Sequence, residues 1–333
     1  VTTLRAPRVR VTGALTAALL VLLGLVAASL LIGSKGIPAA TVLDALLHFD
    51  PTSTDHIFVH DERLPRTVLA VLVGAALGLA GTVMQAVARN PLAEPGVLGI
   101  NAGASFLVVV GITFFGITSL TGYVWFAFAG ALVATVLVYG VGALGREGAT
   151  PVKIALSGAA ANAAFVSLTT TVLLTDTDTF ERFRLWQVGS LSGRGADVLA
   201  QVTPFLVIGI VLALLSGRLL NTLVLGDDVA TGLGQNTAVA RAVAGVTVVL
   251  LCGAATAAAG PIGFVGLAVP PVARMVAGTD HRLALPCALL FGPILVLAAD
   301  IIGRVVAWPG EVQVGIVTAV LGGPVFIALV RRR

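Results

Sequence analysis

Charge is what this chain has least of. Asp, Glu, Lys and Arg make up 11% of its 333 residues, against 57% hydrophobic, where a soluble domain carries about 25% charged residues. Such a chain cannot cover itself with a polar surface, so the soluble classes are excluded. Its mean hydropathy of +1.04 points to a polytopic membrane protein. Lysine is scarcer still: only Lys35 and Lys153 are present, and neither follows a glycine. No GxxxxGK[ST] exists, so the chain has no P-loop with which to hold ATP. The two cysteines, Cys252 and Cys287, lie inside apolar runs without a CxxC. They read as small buried hydrophobes and exclude a disulfide framework. The histidines, His48, His56, His60 and His281, all fall outside the apolar runs. His56 and His60 stand four apart beside Asp61, a spacing that can hold a metal. The reading taken is an exposed polar loop, with no metal site and no catalytic residue assigned. The pI of 9.7 reflects arginines scattered at the ends of apolar runs. They form no basic stripe, which argues against nucleic acid and for membrane topology.

What the chain has in abundance is apolar runs long enough to cross a hydrocarbon core of about 30 Å. Ten are read, at roughly 13–33, 65–88, 96–116, 122–144, 152–174, 197–217, 238–258, 262–278, 284–303 and 313–330. The expected fold is an all-α polytopic transmembrane helical bundle of about ten helices. It is a single transmembrane domain over residues 1–333, without room for a soluble one. The run Gly13 to Ile32, preceded by Arg5, Arg8 and Arg10, is too long for a signal-peptide core and is taken as the first crossing. An even number puts both termini on one side. With that side cytoplasmic, the inner segments hold 13 Lys/Arg and 5 acids, the outer ones 7 and 11. The positive-inside rule therefore places both termini in the cytoplasm and the chain, multi-pass, in the cytoplasmic membrane.

Two stretches stand out. From Arg63 to Phe106, two arginines precede an apolar run whose Gly74, Ala75, Gly78 and Gly81 allow close helix approach. Pro91 forces that helix to end near Arg89, and a second apolar run starts after Pro95. The second stretch, near the C-terminus, carries another elbow and two consecutive prolines, Pro270 and Pro271, which favour a broken or kinked helix start. Asp300 and Arg304, spaced i,i+4 within or near a span, can pair on one helix face. The outer loops hold an interfacial helix after Pro38 and a segment with Phe180, Phe183 and Trp186. Those aromatics are read either as headgroup-level anchors or as a short outer helix at the mouth of a path. The longest inner loop, Asn221 to Asn236, reads as a short helix capped by Asp227 or Asp228 and ended by Gly232 or Gly234.

Arg63-Leu64-Pro65-Arg66, Gln85, Asn90-Pro91-Leu92-Ala93 and Gly99 resemble the signature of FecCD-type permeases, the membrane subunits of ABC importers for iron-siderophores, haem and cobalamin. So do Gly260-Pro261-Ile262-Gly263-Phe264-Val265-Gly266-Leu267 and Gly278-Thr279-Asp280-His281-Arg282, and the resemblance covers nearly the whole chain. One departure is Pro271, where the family usually has histidine; no role needing that histidine is assigned. The wording LGINAGASF, RLWQVGSL, LCGAATA and ADIIGRV is nearest to a ferric-siderophore permease that works as half of a heterodimer.

The resemblance implies a non-enzymatic permease working by alternating access. Two partner ATPase subunits would bind ATP and Mg, so this chain itself needs no cofactor. A second related permease would complete the path, as a heterodimer in preference to a homodimer, and an extracytoplasmic siderophore-binding protein would deliver a ferric chelate. Arg63, Arg66 and Arg304 are expected to dock that protein's acidic residues, bidentate pairing being suited to orientation. Asn90 and Leu92, with the 145–153 loop, are expected as the inner gate, and Leu173, Leu174 and Thr175 as the outer gate. The segment at about 221–236, with Gly226, Asp227, Asp228, Ala230, Leu233 and Gly234, is expected as the coupling helix. The alternatives are a haem or cobalamin permease, or an ion-coupled secondary transporter. The latter needs titratable groups in mid-membrane, where only Asp300 is at hand and has a partner. A membrane scaffold is disfavoured by the polar elbows and the long inner loop.

Overall fold

A computed structural model describes residues 8–33, 35–144, 150–308 and 310–331. It is all helical. In chain order the helices are α1 (Arg8–Leu31), α2 (Ala39–Leu47), α3 (Thr54–Phe58), α4 (Leu64–Val87), α5 (Ile100–Phe115), α6 (Leu120–Gly142), α7 (Pro151–Thr175) and α8 (Thr177–Gln187). They continue as α9 (Ala196–Leu215), α10 (Gly217–Val224), α11 (Asp227–Gly232), α12 (Thr237–Ala259), α13 (Val265–Ala277), α14 (His281–Val306) and α15 (Val314–Arg331). A π-turn over Val59–Arg63 joins α3 to α4 into one 34-residue rod.

Among the described residues seven helical stretches are long and apolar enough to cross a membrane: α1, the α3–α4 rod, α6, α7, α9, α12 and α14. Three shorter apolar helices, α5, α13 and the stretch Val314–Pro324 of α15, accompany them. At 1.5 Å per residue, α5 and α13 reach about 24 and 20 Å. Segment 88–99, which holds a short 3-10 turn at Pro95–Leu98, and segment 260–264 precede them. These touch each other, so their irregular backbone is covered by protein. Pro91 acts as expected: α4 stops at Val87, and Arg89 turns into the left-handed region at φ 49°.

The bundle is built around α4, which packs against α14, α12, α13 and α9. In lipid, helices associate through close packing rather than through a hydrophobic drive, and small residues make that possible. A Cβ on Gly74 would come within 2.7 Å of Gly292 O, and one on Gly78 within 2.8 Å of Ala288 O. A Cβ on Gly81 would overlap the backbone of Gly266, and α5 and α6 meet the same way at Gly103 and Gly130. Peripheral α1 and α7 are mostly exposed.

Two of the expected loop helices are present, while the aromatics of one and the paired prolines depart from the sequence reading. α2 lies where the interfacial helix was placed, with Val42 and Ala45 inward and Leu43 and Leu47 exposed. α8 is the short outer helix, its start capped by Asp176. Its aromatics do not all face the headgroups, however: Phe183 and Trp186 are core residues, and Phe180 alone is exposed. Pro270 and Pro271 sit inside a continuous α13 and do not break its start.

Close packing yields a direct test. Gly81→Ala is expected to cost about 1–3 kcal/mol through overpacking, read as a lower thermal transition in detergent. Gly24→Ala, with open space around its Cβ position, should leave the transition unchanged. Equal transitions for the two would show that α4 and α13 part freely.

Candidate functional site

One end of the bundle, where α1 finishes and α4 begins, gathers the three arginines picked out in sequence. α1 ends with carbonyls that lack intrahelical partners, and no cation in its own last turn. Arg63 donates to Leu30 O at 2.7 Å, Leu31 O at 3.2 Å and Lys35 O at 2.5 Å. Arg304 donates to Ser29 O at 2.8 Å and Ile32 O at 3.0 Å. Two guanidiniums thus cap one helix C-terminus, where cations are favoured. Arg304 also pairs with Asp300, as the i,i+4 spacing predicted. Asp300 has a second partner that the spacing could not reveal: Arg66, at 2.8 Å, which also binds Glu311 at 2.8 Å. Arg63 and Arg304 are buried. All three arginines line one cleft of about 150 Å³ that also exposes Glu62, Glu311 and Ser192.

In the middle of the bundle the two signature stretches meet. Pro270 has no N–H to give to the carbonyl four residues back, Gly266. Gln85 fills that vacancy, Nε2 donating to Gly266 O at 3.3 Å, while its Oε1 accepts from Arg274 at 2.7 Å. Phe264, at φ 68°, donates its N–H to Glu94 Oε1 at 3.2 Å. Thr256 donates to Asn101 at 2.9 Å, tying α12 to the start of α5.

The opposite end of the bundle carries the elbow. Asn90 Oδ1 accepts from Leu92 N–H at 2.9 Å, a local turn that holds Leu92 half exposed. Both residues line a mostly apolar cavity of about 440 Å³, with Tyr139, Val152, Ile154 and Arg241 around it. Of the 145–153 loop, residues 145–149 lie outside the described residues.

The segment expected at 221–236 comprises the end of α10, α11 and the turn after it. Neither aspartate caps α11 through its side chain. Gly226 is the N-cap at φ 111°, and Asp227 is the first helical residue. The Asp227 carboxylate instead accepts from Arg89 and Arg241, each at 2.5 Å. Asp228 and Leu233 are exposed, whereas Ala230 is buried. Gly234, at φ 80°, follows the helix in a left-handed turn. The second elbow reaches the same segment. Asn221 donates to Asp280 at 2.7 Å and accepts from the His281 N–H at 2.8 Å.

Burial works against both carboxylates. At Asp227 the bonds and charges of Arg89 and Arg241 outweigh it, and at Asp280 those of Asn221, Arg282 and His281 do. Each carboxyl therefore lies below its ordinary 3.8. A depressed carboxyl contributes fully above its unfolded value and loses that contribution only as pH falls through the folded one. At neutral pH both ties are intact.

Leu173 and Leu174, at the outer end of α7, line a cavity of about 260 Å³ between α5, α7 and α8. Thr175 is exposed, its hydroxyl bonded back to Val172 O at 2.7 Å. Asn162, Ser167, Thr170 and Thr171 of α7 are exposed, and Thr170 also lines that cavity. His56 is buried and accepts from Asp50 N–H at 3.2 Å, and His60 bonds Ala45 O. Among the described residues no group of three His, Cys, Asp or Glu is placed to hold a metal. Sequence reasoning missed Arg89, Arg241, Arg274 and Glu311. Their partners are 138, 14, 189 and 245 residues away, and no local spacing signals such contacts.

Comparison with known proteins follows the same lines. The model of the FecCD transport family matches residues 19–332. The chain is 48% identical over 318 residues to the ferric enterobactin transport system permease protein FepD of Escherichia coli (strain K12), covering 95% of this chain and 94% of that one. It is 39% identical over 304 residues to the iron(3+)-hydroxamate import system permease protein FhuB of Bacillus subtilis (strain 168), covering 91% and 79%. It is also similar to a solved structure of an ABC transporter of metal-chelate type in an inward-facing conformation. That match has a TM-score of 0.84 at 27% identity and covers 97% of this chain and 100% of the other.

The outer cluster predicts its own failure. Asp300→Ala leaves Arg304 and Arg66 facing each other without their shared carboxylate. Removing one partner of a buried pair costs about 3–5 kcal/mol, so a large drop in thermal stability in detergent is expected. Unchanged stability would mean that water already screens the cluster.

Proposed function

The chain belongs to the FecCD transport family, and on that premise we propose that its cargo is a ferric siderophore. It is the permease subunit of an ABC-type iron importer, a multi-pass protein of the cytoplasmic membrane. It has no ATPase machinery of its own. The family match over residues 19–332 carries this reading. The relatives named for ferric enterobactin and iron(3+)-hydroxamate favour a siderophore over haem or cobalamin. Asp300, the carboxylate that the sequence offers an ion-coupled carrier, lies in the end cluster and is closed by two arginines.

Ten crossings, the seven long helices and the three shorter apolar ones, put both termini in the cytoplasm. That orientation puts the Arg63–Arg66–Arg304 cleft outside and α11 inside. The cleft is the seat for a carboxylate of the binding protein. Arg63 supports this, because it bonds carbonyls and keeps its charge uncompensated by a paired acid. The exposed apolar side chains Leu225, Val229 and Leu233 form the surface that enters an ATPase groove, making α11 the coupling helix. Asn162 and Ser167 stand exposed on α7 beside Thr170 and Thr171, whose hydroxyls bond back to Val166 O and Ser167 O, and a polar face of this kind is poorly matched to lipid. A second, related permease covers that face and leaves a polar path between the two chains, as a heterodimer rather than a homodimer. Leu92 then closes the inner end of the path, and Leu173, Leu174 and Thr175 the outer end.

The test is transport by the full complex, purified from its host and reconstituted in vesicles with its binding protein. ATP-dependent uptake of a ferric siderophore, without uptake of haem or cobalamin, is expected. Uptake driven by an ion gradient without ATP would overturn the assignment. For the cleft, Arg66→Gln leaves both caps on α1 in place. It should weaken binding-protein docking by about tenfold, the scale of one charged hydrogen bond. Docking is measured as the binding-protein concentration that half-stimulates ATPase activity, and an unchanged value would remove Arg66 from the seat.

A further inference from the structure

Arg89 holds a backbone conformation that side chains with a Cβ rarely adopt, φ 49°. The turn gives its side chain a particular reach. Its Nε donates to Leu223 O at 2.9 Å, in the last turn of α10, where carbonyls lack intrahelical partners. Its Nη2 donates to Asp227 Oδ1 at 2.5 Å, and Asp227 Oδ2 accepts from Arg241 Nη2 at 2.5 Å. Arg241 belongs to α12 and lines the cavity that Asn90 and Leu92 also line. One carboxylate, on the first residue of α11, therefore ties together the gate elbow, the coupling segment and α12.

We propose that Asp227, held between Arg89 and Arg241, is the clamp through which movement of α11 reaches the elbow that carries Leu92. This deepens the coupling-helix reading and rests on it. Three features fit a transmitting link. Charge-assisted hydrogen bonds are short, directional and roughly twice as strong as neutral ones, so the clamp is the stiff part. α11 is bounded by Gly226 and Gly234, both at positive φ with open space around them, so it can swing as one piece. The elbow borders a cavity of about 440 Å³, which gives Leu92 room to move. Arg89, two residues after α4 ends and three before Leu92, converts a pull at Asp227 into a displacement of the plug. Arg241 fixes the other side, so the motion is relative to α12 and does not carry the bundle with it.

The experiment uses the whole complex in proteoliposomes and reads cargo moved per ATP hydrolysed. Arg89→Gln and Arg241→Gln should each lower that ratio by about tenfold while binding-protein-stimulated ATPase activity stays within about twofold, in the range of coupling free energies between sites. A purely structural role would lower yield and ATPase activity together and leave the ratio alone, which would overturn the proposal. Where a glutamine variant fails to assemble, the lysine variant at the same position, which keeps charge but loses the planar fork, is read on the same ratio. A photo-crosslinker at Val229 separates the two layers of the argument. No adduct with the ATPase subunit would sink the coupling reading and the clamp with it. An adduct together with an unchanged ratio in the arginine variants would sink the clamp alone.

Discussion

A guanidinium inside an apolar bundle has little water to turn to, and the arrangement of this protein follows from how Arg63, Arg66, Arg304 and Arg89 find acceptors within the chain. At the outer end Arg63 and Arg304 take up the free carbonyls of α1, while Asp300 and Glu311 take up Arg66. That single cluster fastens α1, otherwise a peripheral and mostly exposed helix, to α4 and α14. It also fixes where positive charge shows at the outer surface, because a cleft opens where the three arginines converge. Structural need and surface chemistry are thus served by the same side chains, and a substitution there acts on both.

The same constraint explains the middle of the bundle. Pro270 strips Gly266 of its helical hydrogen bond, and Gln85 from the opposing helix replaces it. That contact needs α4 and α13 in near-backbone contact, which Gly81 and Gly266 allow. Glycine, proline and glutamine, far apart in sequence, form one unit. Each signature stretch then continues into an elbow, and each elbow grips the segment around α10 and α11, through Arg89 at Leu223 and Asp227 and through Asp280 at Asn221. The two elbows thus hold one end of the bundle, and both lead to the helices that pack most closely at its centre.

Local rules read parts of this chain well. Pro91 ends α4, small residues mark the tight crossings, and the i,i+4 spacing pairs Asp300 with Arg304, because each depends on neighbours within a few residues. Where local rules failed, a distant partner had outbid them. Asp227 offered a helix cap and was claimed by two arginines. Phe183 and Trp186 carried the signal of a headgroup belt and are buried in the core. Pro270 and Pro271 carried the signal of a break and lie within a continuous helix, with Gln85 supplying the bond lost at Gly266.

The sequence by itself determined the class of this protein: apolar runs of membrane length and a shortage of charge leave only a helical bundle in lipid, and two elbow motifs identify its family. Tertiary structure decided what the charged residues do. Whether an arginine docks a partner, caps a helix or clamps a loop depends on which acceptors lie within about 3 Å of it. For Arg63, Arg66, Arg89, Arg241 and Arg274 those acceptors lie 14 to 245 residues away, brought close by helix contacts whose partners no spacing along the chain reveals.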